Sequence, residues 1–277
     1  MRPSRPPPRG PRPSRANPGR IGAARALLAT EEGEALDEVV AQLLPEEGPD
    51  RALGWHLALG TVRRQGSVDA ALRPLLRQPL DALDAPVRAA LRLGAFERLH
   101  GRAPAHAVVD QAVEVARALG AGRASGLVNA VLRRVAPPRE PSRAVQLDHP
   151  AWLVARWDAR YGAEATAAWC TANLEPPPLF LVARASAEAL AARLADAGVS
   201  SEPAHLGGEP VPGVLRVEAA GRVEVLPGFA DGAFWVQDAA SAWLTDLVPV
   251  EARTVLDACA APGGKSFRLA ARGARVT

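Results

Sequence analysis

Cysteine is scarce in this chain of 277 residues: Cys170 and Cys259 are the only two. They stand far apart and make neither a zinc-ligand pair nor a disulfide framework. The five histidines, His56, His100, His106, His149 and His205, show no H-x-x-x-H spacing and no H-x-E pairing with a cysteine, so no metal motif is expected. Aromatic residues make up 4% of the chain. No uninterrupted apolar run is long enough for a membrane span. The opening "MRPSRPPPRGPRPSRANPGR" is basic but lacks the apolar stretch of a secretory signal. Cytoplasmic residence, no membrane and no metal are the resulting expectations. Lysine is almost missing: of 33 basic residues, 32 are Arg and the other is Lys265. In so Arg-biased a chain, the lone Lys suggests a loop that wants a compact, flexible ammonium rather than a planar fork.

What is present is apolar residues, 48% of the chain and mostly Ala, Leu and Val. With this length, that is enough for two modest domains or one large one. The net charge of +3 conceals an uneven distribution. Residues 1–25 carry seven Arg and no acid, and residues 26–87 carry five Arg against eleven acids. Residues 88–143 reverse this, with ten Arg against four acids. A basic block in an otherwise acidic body suits a phosphate backbone, and a solvated helical face with Arg-rich composition suits it too.

Residues 1–20 are Pro, Arg, Gly and Ser, a composition unable to bury a core and expected to be disordered. Residues 21–137 read as helices throughout. Asp50 is an expected N-cap for "DRALGWHLALGTVRRQ". "APVRAALRLGAFERL" places Arg88 and Arg92 on the face opposite its apolar stripe. Pro104 falls in an expected first turn and Gly120 at a stop. "ASGLVNAVLRRV" sets Leu127, Val131 and Val135 on one side. Residues 138–234 read as a small α+β unit: two helices, a strand "LFLVAR", a helix from Ser186 to Gly198, then strands "GVLRVEA" and "GRVEVLPGF". Residues 235–277 open with a helix "FWVQDAASAWLTDLV". They continue through a buried strand "RTVLDAC", a glycine loop, a helix "KSFRLAARG" and the start of a second strand, "ARVT". The fold class is multidomain: an all-α domain, an α+β middle domain, and the beginning of a Rossmann-like α/β domain.

The loop "VLDACAAPGGKS" supports two readings. "GGKS" is the tail of a phosphate-binding loop, which requires a glycine where Cys259 stands. Pro262 also lacks an N–H to offer a phosphate. The other reading is a strand ending in Asp257, then small residues against which a ligand can press, then a helix whose free N–H groups meet a carboxylate. On this reading Asp257, Cys259, Ala260, Ala261, Pro262, Gly263, Gly264 and Lys265 hold S-adenosylmethionine, with Asp257 balancing its amine or sulfonium.

"LDACAAPGGKS" resembles motif I of the RNA 5-methylcytosine methyltransferases of the RsmB/Sun and NOL1/NOP2 group. "LPGFADGAFWVQDAASA" resembles the segment preceding it, with Gln237, Asp238 and Ser241 matching. "DAPVRAALRLGAFERLHGRAPAHAVVDQAVEVARALG…GLVNAVLRRV" is similar to that family's NusB-like domain. "HPAWLVARWDARYG" and "EPPPLFLVARAS" are similar to its middle domain, although Ala183-Arg184 stands where relatives show Asn-Arg. The resemblance implies three parts: a NusB-like RNA-binding domain at 21–137, an RNA-recognition domain at 138–234, and a donor-binding domain from 235. It implies S-adenosylmethionine-dependent methylation of cytosine C5 in small-subunit ribosomal RNA by a monomer, through a cysteine adduct. The family's nucleophile follows Thr and its second cysteine follows Pro; neither motif occurs here. Cys170 reads as a packing residue, and an inactive N-terminal fragment whose catalytic cysteines lie past residue 277 is expected. The ribose-clasping acid is likewise expected just past "ARVT". A non-catalytic NusB-like RNA-binding or transcription-regulatory protein is the alternative, and a P-loop nucleotidase the weaker one.

Overall fold

In the computed structural model, residues 16–218 and 222–277 are described, and two compact units divide at Glu175. Of the tail expected to be disordered, residues 1–15 lie outside the described residues.

The first unit is helical: α1 Pro18–Glu31, α2 Leu36–Leu43, α3 Pro49–Arg63, α4 Gln65–Leu72, α5 Ala85–His100, α6 Ala105–Ala118, α7 Ser125–Leu132, α8 Arg143–Gln146, α9 Ala151–Tyr161 and α10 Ala163–Leu174. Helix α1 starts earlier than composition suggests. Asn17 caps it, its side chain accepting from the Arg20 N–H at 3.2 Å, and Pro18 occupies the first turn, where no N–H is needed. Asn17 Nδ2 also donates to Asp50 Oδ1 at 2.6 Å. Asp50 therefore does not cap α3; Gly48 holds that place and Asp50 lies in the first turn. Pro104 is likewise the residue before α6, not within its first turn. Gly19 lets α1 cross α3 closely, since a Cβ there would stand 2.0 Å from the Asp50 carbonyl oxygen.

Helix α5 is the centre of this unit, buried continuously from Val87 through Glu97 except at Arg88. Apolar residues from α1 to α7 close around it in one cluster. The expected exposed face of α5 is wrong for Arg92, which is buried. Its Nε and Nη2 donate to the two carboxylate oxygens of Asp69, each at 2.9 Å. Leu127, expected to face the core, is 40% exposed, while Val128, Val131 and Leu132 of the same helix are buried. Helices α8 to α10 belong to this unit. Asp148 accepts from the Ser67 N–H at 2.6 Å and the Ser67 hydroxyl at 3.0 Å.

The second unit contains β1 Leu179–Ala183, α11 Ala187–Asp196, β2 Ser200–Leu206, β3 Glu209–Glu218, β4 Phe234–Val236, α12 Ala239–Asp246, β5 Thr254–Val255, α13 Gly264–Ala271 and β6 Arg275–Val276. The first four strands form an antiparallel sheet in the order β2-β3-β1-β4, with Leu181 opposite both Leu215 and Val236. Apolar residues run continuously through β1 because both faces are covered. Leu181 packs in a cluster with Leu190 and Leu194 of α11, and Val182 in one with Ala239 and Ala242 of α12. Burying each of the Leu and Val side chains contributes roughly 1.5–3 kcal/mol.

Three sequence expectations fail here. "GRVEVLPGF" is not a strand: among its described residues Val223–Val225 make a single 3₁₀ turn, followed by Pro227, which has no N–H, and Gly228 at φ +101°. Phe234–Val236, expected within a helix, pairs with β1, and α12 starts only after Asp238. Strand β2 was unforeseen because Pro203 lies within it, which an edge strand tolerates.

Candidate functional site

Strands β5 and β6 pair in parallel, Thr254 opposite Arg275 and Val255 opposite Val276. The Asp257 N–H extends the ladder to the Thr277 carbonyl at 3.0 Å. The chain then leaves the pair, and the Asp257 carboxylate closes the loop onto itself. Oδ1 accepts from the Cys259 N–H at 3.1 Å, and Oδ2 accepts from the Ser266 hydroxyl at 2.7 Å. Strand end and first helical turn are thereby fixed to each other through one side chain. The strand itself is not buried as expected: Leu256 is 76% exposed, since no described element covers it.

Cys259, Ala260, Ala261 and Pro262 form the exposed rim of the loop. Gly263, at φ +115°, turns the chain into α13. The amides of Gly264, Lys265 and Ser266 open that helix with no hydrogen-bond partner among the described residues. The Lys265 ammonium is also without a partner there. The predicted site residues are thus brought together on one strand–loop–helix turn. A triphosphate is poorly served by it, because Pro262 has no N–H and the Cys259 N–H is already given to Asp257.

Behind the loop stands a support that the sequence indicated only through its likeness to a family segment. Gln237 is buried; its Oε1 accepts from the Trp235 indole N–H at 2.9 Å, and its Nε2 donates to the Ser241 hydroxyl at 3.4 Å. Gly264 lies directly against that amide. Trp235 meets Phe267 edge-on at 6.3 Å, and Phe267 lies against Gly263. Asp238 next door caps α12, accepting from the Ala240 and Ser241 N–H groups.

The basic block at 88–143 is only partly free. Arg88 and Arg92 both pair with Glu31, Arg98 donates to the Leu132 carbonyl, Arg117 pairs with Glu114, and Arg143 pairs with Asp158. The guanidiniums of the exposed Arg102, Arg123, Arg133, Arg134 and Arg139 have no partner among the described residues. Cys170 is fully buried, and burial pushes its thiol pKa up. No grouping of His, Cys, Asp or Glu suited to a metal ion occurs among the described residues. No described helix is long and apolar enough to cross a membrane.

Helices packed as one domain, then a four-stranded antiparallel sheet covered by helices on both faces and leading into a strand–glycine loop–helix, define a multidomain architecture. Residues 18–137 match the NusB family, and residues 149–224 match the RsmF/B-like methyltransferase ferredoxin-like domain. The chain is 38% identical over 263 residues to ribosomal RNA small subunit methyltransferase B of Pseudomonas putida, covering 90% of this chain and 59% of that protein. It is 38% identical over 260 residues to the protein of the same name in Xanthomonas campestris, covering 91% and 58%. The crystal structure of PH0851 superposes with a TM-score of 0.71 at 19% identity, over 94% of this chain and 62% of that one. That likeness confirms the fold. The chain thus carries a NusB domain followed by an RsmF/B-like ferredoxin-like domain and is similar along most of its length to ribosomal RNA small subunit methyltransferases B, and it spans about three fifths of the length of those curated relatives.

Proposed function

We propose that this chain supplies the RNA-binding and methyl-donor-binding parts of an enzyme that methylates small-subunit ribosomal RNA at cytosine C5. The carrying observation is the loop from Asp257 to Lys265, whose small residues and reduced set of amide donors suit S-adenosylmethionine better than a nucleoside triphosphate. When bound, that cofactor supplies an electrophilic methyl group on a sulfonium. Gly263 and Gly264 would let it lie close to backbone, with the open amides of α13 and Lys265 meeting its carboxylate. Asp257, whose two described partners are a hydroxyl and an amide, would face the donor's positive end. Neither cysteine serves as the base-attacking nucleophile: Cys170 is sealed in the helical unit and Cys259 belongs to the donor loop.

Functionally, the helical stretch to residue 137 is read as the first RNA-binding part, 138–234 as RNA recognition, and the remainder as donor binding. The five uncommitted arginines from Arg102 to Arg139 support RNA binding by the first part. Photo-crosslinking with methyl-labelled S-adenosylmethionine tests the assignment. Label is expected in the peptide spanning 257–265, and excess ATP with magnesium should not displace it. Steep salt-dependent RNA binding without any crosslink would favour the non-catalytic RNA-binding alternative.

A further inference from the structure

The second unit holds a cavity of about 620 Å³ that the donor loop does not use. Its floor is an ion cluster. Arg268 donates to both carboxylate oxygens of Asp246, at 2.9 and 2.6 Å, and to the Pro212 carbonyl at 2.7 Å. Arg272 stands 3.6 Å from the same carboxylate and donates to the Thr245 and Val248 carbonyls. Asp246 is the only acid in the lining and is already shared by two guanidiniums, so the cavity is electropositive.

Two features at its mouth have no structural employment. Trp243 is 44% exposed. Arg184, at the end of β1, uses its backbone N–H on the Ala233 carbonyl, while its guanidinium is exposed with no partner among the described residues. An uncommitted guanidinium and an open indole lining one cavity with the Arg268 and Arg272 guanidiniums fit a phosphate joined to a flat ring.

We infer that this cavity binds an unpaired nucleotide of an RNA strand, its base stacked on Trp243 and its phosphate held by Arg184. The inference rests on the RNA reading above and adds a site to it. An acidic protein segment would use Arg184 but would gain little from an exposed indole face, so RNA is the better match.

The test is fluorescence anisotropy of a labelled twelve-nucleotide oligocytidylate with the 277-residue chain. Trp243→Ala should weaken binding roughly 5- to 100-fold, the range of one base–aromatic stack, and Trp243→Phe should keep most of the affinity. Arg184→Ala should weaken binding and reduce the salt slope by about 0.7, as for one lost phosphate contact on a single strand. Val250→Ala and Arg275→Ala, exposed outside the cavity and outside both RNA-reading parts, should change nothing. Unaltered circular dichroism melts will show that the variants fold. If the chain binds RNA and the Trp243 and Arg184 variants bind equally well, the site is wrong and the RNA reading survives. If polyglutamate competes as effectively as RNA, an acidic segment is the occupant and the site's assignment is overturned. If the unaltered chain binds no RNA, both fall.

Discussion

Gly264 touches the side chain of Gln237: a Cβ built on its backbone would stand 3.2 Å from Gln237 Cδ and 3.3 Å from Cγ. Gln237 has little freedom to yield, being buried and bonded to Trp235 and Ser241. Gly264→Ala is therefore expected to displace the start of α13. Equilibrium dialysis should show S-adenosylmethionine affinity reduced roughly 5- to 100-fold, the equivalent of about 1–3 kcal/mol of overpacking. The melting transition of the helical unit should be unmoved, since that unit does not contain the loop.

Asp69 and Arg92 form a buried bidentate pair between α4 and α5. Asp69→Ala leaves a buried guanidinium with only Glu31 and the distant Asp81 carboxylate near it. Denaturant unfolding should show a loss of about 3–5 kcal/mol. Asp69→Asn, which keeps one acceptor, should lose less.

The Arg88 guanidinium, hydrogen-bonded to Glu31, holds that carboxyl below its ordinary value of 4.5, with Arg92 adding to the effect. A carboxyl depressed in the folded state stabilises the fold above the unfolded value and stops doing so as pH falls through the folded one. Melting temperature should therefore decline below about pH 4.5. Glu31→Gln should start lower at neutral pH and decline less steeply across that acid range.

Gly94 on α5 allows a close approach: a Cβ would meet Leu132 Cδ1 at 2.5 Å and Ala112 Cβ at 3.0 Å. Gly94→Ala gains helix propensity but forces Leu132 aside. Overpacking of about 1–3 kcal/mol exceeds the roughly 1 kcal/mol of propensity, so chemical denaturation should register a net loss.

Much of this molecule was legible from local chemistry. Ser186 does cap α11, its hydroxyl accepting from the Ala189 N–H at 3.1 Å, and Gly198 does end it at φ +75°. Cys170 is the packing residue its setting suggested. The failures share one cause, a partner distant in sequence. Arg92 looks like a solvated residue until Asp69 is brought against it, and Pro18 looks like tail until Asn17 finds Asp50. Strand β4 is only three residues and looks helical until β1 pairs with it. In the loop from Asp257 to Lys265, the residue types and order were readable. The closure of Asp257 on Ser266 and the support by Gln237 were not, because each depends on how the loop folds back.

Isothermal titration calorimetry of the intact chain with S-adenosylmethionine, and separately with ATP and magnesium, bears most directly on the loop's ligand. Saturable heat with S-adenosylmethionine, abolished or weakened by Gly264→Ala, and none with ATP is the expected result. Saturable binding of magnesium ATP with no response to S-adenosylmethionine would contradict the account.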